Sequence, residues 1–210
     1  MTSPSPLLYD TYYHIYNRGN NRGNIFIQER NYTHFMNLFG KYIEPIAETF
    51  AYCLLRNHFH VVVRVKSKEE IFPAPETLKV SETFRVSKLE RYPSQKFSDF
   101  FNAYAKAINN GYGRSGSLFQ HPFGRVPITS EHQFWNVIAY VHQNPQKRKY
   151  VDDFRKWKWS SYGVILADRP TKLKRDVVLA WFGGKQSFLD LHEKRVTEAE
   201  SKWFAEDDYD

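Results

Sequence analysis

The chain has 210 residues, 41% hydrophobic and 17% aromatic, with a formal net charge of +7 at pH 7. That length and apolar content exclude a disordered chain and suffice for one folded domain with its own core. No apolar run approaches the roughly 20 residues that span a bilayer.

Met1 to Tyr9 lacks the charged-then-apolar order of a secretory leader, so a cytoplasmic protein without a membrane partner is expected. The single cysteine, Cys53, excludes an intramolecular disulfide framework and a multi-cysteine zinc site. Its neighbours Ala51, Tyr52, Leu54 and Leu55 place it in a buried strand. Excess positive charge with many aromatic rings suits nucleic acid, because cations displace phosphate counterions and rings stack on unpaired bases. A basic but otherwise ordinary protein fits the charge as well.

In chain order, Tyr12 to Asn17 reads as a strand, ending at the turn-prone Arg18-Gly19-Asn20-Asn21-Arg22-Gly23-Asn24. Asn31 to Ile43 carries apolar positions at Phe35, Leu38, Phe39 and Tyr42, the spacing of an amphipathic helix. Thr49 to Leu55 and Phe59 to Val65 are strand-like runs divided by Arg56-Asn57-His58, most simply a hairpin. From Lys66 to Ser94 the pattern dissolves into charges and prolines. This segment reads as an insertion or mobile connection, with room for a short helix around Val80 to Leu89. Phe97 to Asn109 recovers helical character, ended by Asn110-Gly111. Ser117 to Ile128 supplies a further strand. Ser130-Glu131 opens a helix with Phe134, Val137, Ile138 and Val141 apolar, stopped at Asn144-Pro145. The tail is rich in Trp, Lys and Asp, and its acidic end, Ala205 to Asp210, is expected to fray. The order strand, helix, strand, strand, helix, strand predicts an α+β, ferredoxin-like antiparallel sheet with helices on one face, followed by a C-terminal helical extension. The division expected is residues 1–165 for the main domain and 166–210 for the extension.

The sharpest feature is Asn57-His58-Phe59-His60-Val61-Val62-Val63. Side chains alternate faces along a strand, so His58 and His60 point the same way and form a two-imidazole platform for a divalent ion. Taken alone, two structural histidines explain the triplet as well. Phosphodiester cleavage also needs a nucleophile. Cys53 reads as buried and no Gly-x-Ser-x-Gly elbow occurs, whereas tyrosine can attack covalently. Tyr104 sits on the 97–109 helix among the small residues Ala103, Ala105 and Ala107. A core aromatic fits that position equally well.

Four ordered blocks carry a resemblance over about residues 10 to 165. They are Tyr13-His14-Ile15-Tyr16-Asn17-Arg18-Gly19-Asn20-Asn21-Arg22; Ala51-Tyr52-Cys53-Leu54-Leu55-Arg56-Asn57-His58-Phe59-His60; Gly113-Arg114-Ser115-Gly116-Ser117-Leu118-Phe119-Gln120; and Tyr140-Val141-His142-Gln143-Asn144-Pro145 with Trp159-Ser160-Ser161-Tyr162. In these the chain resembles the single-tyrosine, His-hydrophobic-His transposases, and most closely the REP-associated tyrosine transposases. The resemblance implies an enzyme that cleaves and rejoins single-stranded DNA near hairpins through a 5′-phosphotyrosine intermediate, acting in the nucleoid. It implies Mg²⁺ or Mn²⁺ held by His58 and His60, Tyr104 as nucleophile, and single-stranded or hairpin DNA as partner, and it leaves a homodimer open. Members of the wider family place a glutamine ligand one helical turn after the tyrosine. Here that position is Ile108, so Asn109 and His14 stand as candidate third ligands.

Arg18, Asn20 and Arg22 in the glycine-bearing loop, with Arg114 and Arg125, are candidate DNA contacts; a solvated basic face is the alternative. Lys147, Arg148 and Lys149 suit a helix C-terminus as well as DNA. Trp157, Trp159 and Tyr162 fit tail packing better than base stacking, and His121 is a weaker candidate at the site. Two other functions compete. A domesticated relative would bind a hairpin without cutting, and an RNA-binding ferredoxin-like domain would show an RNP-type aromatic motif, which Phe59 and Val61 to Val63 do not supply.

Overall fold

The computed structural model describes residues 5–73 and 82–194, with the backbone alone for 82–87. The acidic tail and the start of the expected 80–89 helix lie outside the described residues. Four strands, β1 (Tyr12–Arg18), β2 (Ala47–Leu55), β3 (His58–Val65) and β4 (Gly124–Ile128), form one sheet in the order β2-β3-β1-β4. All three pairings are antiparallel. This is the expected α+β, ferredoxin-like order. β2 and β3 form the expected hairpin; Leu55 pairs with His58, leaving a two-residue turn of Arg56 and Asn57.

Alternation along β3 sorts its side chains into two cores. Phe59, Val61, Val63 and Val65 face α1 (Glu29–Tyr42) and α3 (Glu82–Tyr112), where Phe35, Phe97 and Phe100 are fully buried. Each such ring contributes roughly 1.5–3 kcal/mol of burial free energy. Helix α1 begins where Asn31 Oδ1 accepts from the amides of Ile27 and Gln28. Val62 faces the other way, into a second core with Phe134, Val137, Ile138 and Val141 of α4 (Glu131–Lys147). Helices therefore cover both faces, because α4 turns back across the sheet.

Three expectations change. The connection after β3 contains α2 (Lys68–Ile71), opened by a Ser67–Glu70 capping box, and residues 82–94 belong to α3 rather than to a loose insertion. Helix α3 runs through Pro93, which cannot donate to the Leu89 carbonyl. The Tyr9 hydroxyl donates to that carbonyl instead, at 2.5 Å. The fourth strand is short, beginning only at Gly124, because the segment before it is held through Gln120 N–H donating to Arg18 O and the Gly19–Phe119 bridge. Helix α4 likewise passes Asn144-Pro145 and ends at Lys147.

Residues 166–194 do not form a separate body. Ile165 of α5 (Tyr162–Leu166), Leu173, Val178 of α6 (Arg175–Trp181), Phe182, and Phe188 of α7 (Lys185–Glu193) share the second core with Phe134 and Val137. The stretch 159–161 lies along the edge of β2, where Leu54 N–H donates to Trp159 O and Ser161 N–H to Tyr52 O. An edge covered in this way offers no template to another strand. Cys53 is fully buried on β2, as expected. Among the described residues no helix is long and apolar enough to cross a membrane.

Candidate active site

His58 and His60 do share a face, and they project toward α4. Both are almost completely buried, at 4% and 1% exposure. The second ring nitrogen of each is held from behind. His58 Nδ1 donates to Asn57 Oδ1 at 2.7 Å, and the Tyr150 hydroxyl donates to the same oxygen at 3.1 Å. His60 Nδ1 meets His14 Nε2 at 3.0 Å. Carboxylates, amides and imidazoles placed behind a metal-ligating histidine fix its tautomer and aim its free nitrogen. The remaining ring nitrogens, the two Nε2 atoms, point to one side chain on α4. Asn144 Oδ1 lies 3.2 Å from His58 Nε2 and Asn144 Nδ2 lies 3.4 Å from His60 Nε2.

This geometry fits a cation. A neutral imidazole carries one proton, and that of His58 already goes to Asn57, so His58 Nε2 and Asn144 Oδ1 are two lone pairs facing each other. A proton between them is disfavoured. Burial lowers the His58 pKa to about 3; the Asn144 bond opposes the shift, and the charges of Arg18 and Arg148 reinforce it. Burial first, then the other two histidines and the same arginines, holds His60 well below its ordinary value. Neutral imidazoles are what a metal ion requires. His58, His60 and Asn144 are thus the set that could hold Mg²⁺ or Mn²⁺.

One turn before Asn144 on the same helix face stands Tyr140. Its ring centroid lies 5.6 Å from that of His60, edge-on at 83°, and 6.4 Å from that of His14. Lys147 Nζ lies 5.1 Å from the centre of the Tyr140 ring, a cation–π contact. Tyr16 closes the site along the sheet, its ring 6.0 Å from His60. It can do so because residue 124 is glycine; a Cβ there would sit 2.2 Å from the Tyr16 ring. A narrow cleft lined by Tyr16, Arg18, His58, His60, Gln120 and Pro122 opens onto the histidines.

The structure does not bring Tyr104 to this place. It lies on α3, in the core behind the opposite face of the sheet, with 0% exposure. Its hydroxyl donates to Ile25 O at 2.8 Å, and burial pushes its pKa well up, disfavouring a phenolate. The expected nucleophile is therefore corrected: alternation along β3 puts Phe59, not the histidines, against the Tyr104 layer. Asn109, also on α3, donates to Gly116 O at 2.9 Å and holds the loop after the helix. His14 stands behind His60, not beside the point where the two Nε2 atoms converge.

The candidate DNA contacts divide. Arg18 lines the cleft, and Asn20 and Arg22 are exposed on the loop beyond it. That loop is fastened to the hairpin turn: Gly19 N–H donates to Asn57 O, and the Ile25 and Phe26 amides donate to Arg56 O. Arg114 donates to Asn24 O at 3.3 Å, bracing the same loop. Arg125 pairs with Ile15 and so faces the α1–α3 side, stacked 3.7 Å over Phe123 and donating to Ser5 O. Trp157 donates to Leu54 O, Trp159 stacks on Tyr32 and Tyr162 is buried, so all three pack the fold. His121 is exposed next to Pro122 of the cleft. Sequence reasoning missed Tyr140 and Asn144 as site residues, and weighed Arg148 only with Lys147 and Lys149 at a helix end. The signal was present: in the transposases that the sequence resembles a ligand follows the tyrosine by one turn, and counted from Tyr140 that position here is an amide, Asn144.

No protein-family profile matches the chain. A curated protein of Haemophilus influenzae, provisionally named a REP-associated tyrosine transposase, is 22% identical over 115 residues. The match takes in 55% of this chain and 58% of that protein, so the chain spans little more than half its curated relative. A solved REP-associated tyrosine transposase, bound to a REP hairpin, superposes with a TM-score of 0.58 at 14% identity, covering 81% of this chain and 89% of the other. At that identity the match establishes a shared fold. The resemblance read in the sequence is thus met by similarity in both sequence and architecture.

Proposed function

We propose that this protein is a metal-dependent transposase or nuclease that cleaves and rejoins single-stranded DNA beside a hairpin, with Tyr140 as nucleophile. The observation that carries this reading is the convergence of His58 Nε2, His60 Nε2 and the Asn144 amide beside the Tyr140 ring. His58, His60 and Asn144 would hold Mg²⁺ or Mn²⁺. When bound, the ion would draw charge from a phosphate oxygen and offset the charge growing there during attack.

The chain's own residues supply the rest. Arg18 and Arg148, close enough to depress the His58 pKa, bring positive charge to where a phosphodiester would sit. Tyr140 Oη attacks phosphorus and gives up its proton; the P–O3′ bond breaks and the 3′ oxygen takes up a proton. The product is a phosphotyrosine ester on the 5′ end, whose bond energy lets another 3′ hydroxyl reverse the step without ATP. The exposed loop with Asn20 and Arg22 extends basic surface from the cleft, suited to the paired stem of a hairpin. Arg114 supports this loop, and Arg125 lies too far round the sheet to join it.

The test uses end-labelled hairpin DNA with a single-stranded flank, Mn²⁺, and denaturing gels. Wild type and Tyr104→Phe should form a covalent protein–DNA adduct; Tyr140→Phe and His58→Ala should not. An adduct that survives in Tyr140→Phe would overturn the nucleophile. Tight hairpin binding without an adduct in the wild type would make the protein a hairpin-binding module, a reading that burial of Tyr140, 1% exposed, also favours.

A further inference from the structure

His14 has no role in the step above, yet it is fully buried at the back of the candidate metal pair. Its place follows from register. On the central strands His14 pairs with Val62 and Tyr16 with His60, so His14 and His60 are diagonal neighbours on one face. Their ring planes are 18° from parallel, with His14 Nε2 3.0 Å from His60 Nδ1. Contact at this edge leaves the other edge of His60, Nε2, turned to Asn144.

One proton is shared between the two nitrogens, and its location decides what His60 can do. On His14 Nε2, it forces the proton of a neutral His60 onto its own Nε2, where it blocks coordination. On His60 Nδ1, it leaves Nε2 as a bare lone pair. We infer that His14 is a positioning residue: its Nε2 accepts the Nδ1–H of His60 and so holds His60 in the tautomer that can bind a metal ion. This rests on the metal reading of His58 and His60 proposed above. His14 is then the counterpart of Asn57, which holds His58 in the same sense. Sharing the face of His60 without reaching its Nε2 edge, His14 acts through His60 and is not itself a ligand.

The test compares Mn²⁺ binding by the full chain, read by calorimetry and by electron paramagnetic resonance with ¹⁵N-histidine. His14→Leu removes the acceptor; His14→Gln restores one, an amide oxygen that can take the Nδ1–H of His60. Loss of such a partner behind a ligand weakens metal binding by about 10- to 100-fold. That loss is expected in His14→Leu and most of the affinity should return in His14→Gln, with two histidine nitrogens on the ion in wild type and His14→Gln. Affinity within about threefold of wild type in a folded His14→Leu would overturn the inference, as would a third histidine nitrogen lost with His14. Should His14→Leu fail to fold, nitrogen NMR of the Mg²⁺-loaded wild type still decides, since a proton on His14 Nε2 overturns the inference. A wild type that binds no Mn²⁺ would remove the metal reading itself, and the inference with it.

Discussion

Tyr104 and Tyr140 lie in the cores on opposite faces of the sheet. Tyr104 spends its proton on Ile25 O inside a core of Phe26, Phe35 and Phe119. Ile25 in turn donates to Arg56 O in the hairpin turn. Tyr104→Phe keeps the ring and strands a buried carbonyl, which costs about 1–3 kcal/mol. The expected result is a lower urea midpoint with adduct formation kept; an unchanged midpoint would mean that water or backbone shift repairs the loss. The histidine pair was legible because strand alternation is a local rule that needs only two residues. The proposed nucleophile was not, because a helical pattern shows that a residue faces a core without showing which face of the sheet that core covers. Counting the glutamine position from Tyr104 gave Ile108, an apolar core residue at 1% exposure, and that mismatch was itself the clue.

At the scale of elements, the strands and α1 came through because their apolar residues repeat at the periods of strand and helix. The stretch before Phe97 did not. Its charges blur the repeat, and Pro93 argues against a helix interior, where it costs about 3 kcal/mol. What lets α3 continue is a residue some eighty positions away: Tyr9 donates to the carbonyl that Pro93 leaves without a partner, and Leu7 N–H donates to Ser94 Oγ at 2.8 Å. Such a bond between distant segments has no trace in local periodicity. Its removal should therefore loosen α3 locally. In Tyr9→Phe, amide exchange around residues 88–94 should accelerate while α1 and the β3 amides keep their protection. Exchange unchanged in that window would show that the turn at Pro93 holds without the tyrosine.

At the scale of the whole molecule, the sheet is closed on both faces, and this puts five histidines where water does not reach. His14, His58, His60, His142 and His192 are all between 0% and 4% exposed. His58 and His60 line the candidate site, and His14 stands behind His60. The others tie the C-terminal helices to α4: His142 meets His192 at 2.8 Å and Ser161 Oγ at 2.7 Å, and His192 Nδ1 donates to Phe188 O. Residues of the extension expected from 166 onward thus share a core with α4, a partner that the tail's short helices reveal only once α4 is in place. Burial lowers every one of the five pKa values, to about 3 for His14 and His58 and about 4 for His192. In the unfolded chain they titrate near their ordinary 6.5. Below that pH the unfolded chain takes up protons that the folded chain refuses, so stability is full above about pH 6.5 and falls as pH drops toward 3. Each buried histidine adds a slope of up to about 1.4 kcal/mol per pH unit. The ion-paired carboxylates Glu48 and Glu70, held low against their Lys174 and Arg64 partners, lose their contribution only in the more acidic range below their ordinary 4.5. The interval from pH 6.5 to 5 therefore isolates the histidines. Urea midpoints should fall steadily across it, and His192→Leu should flatten the fall, whereas a level midpoint down to pH 5 would mean that these imidazoles take up protons without unfolding the sandwich.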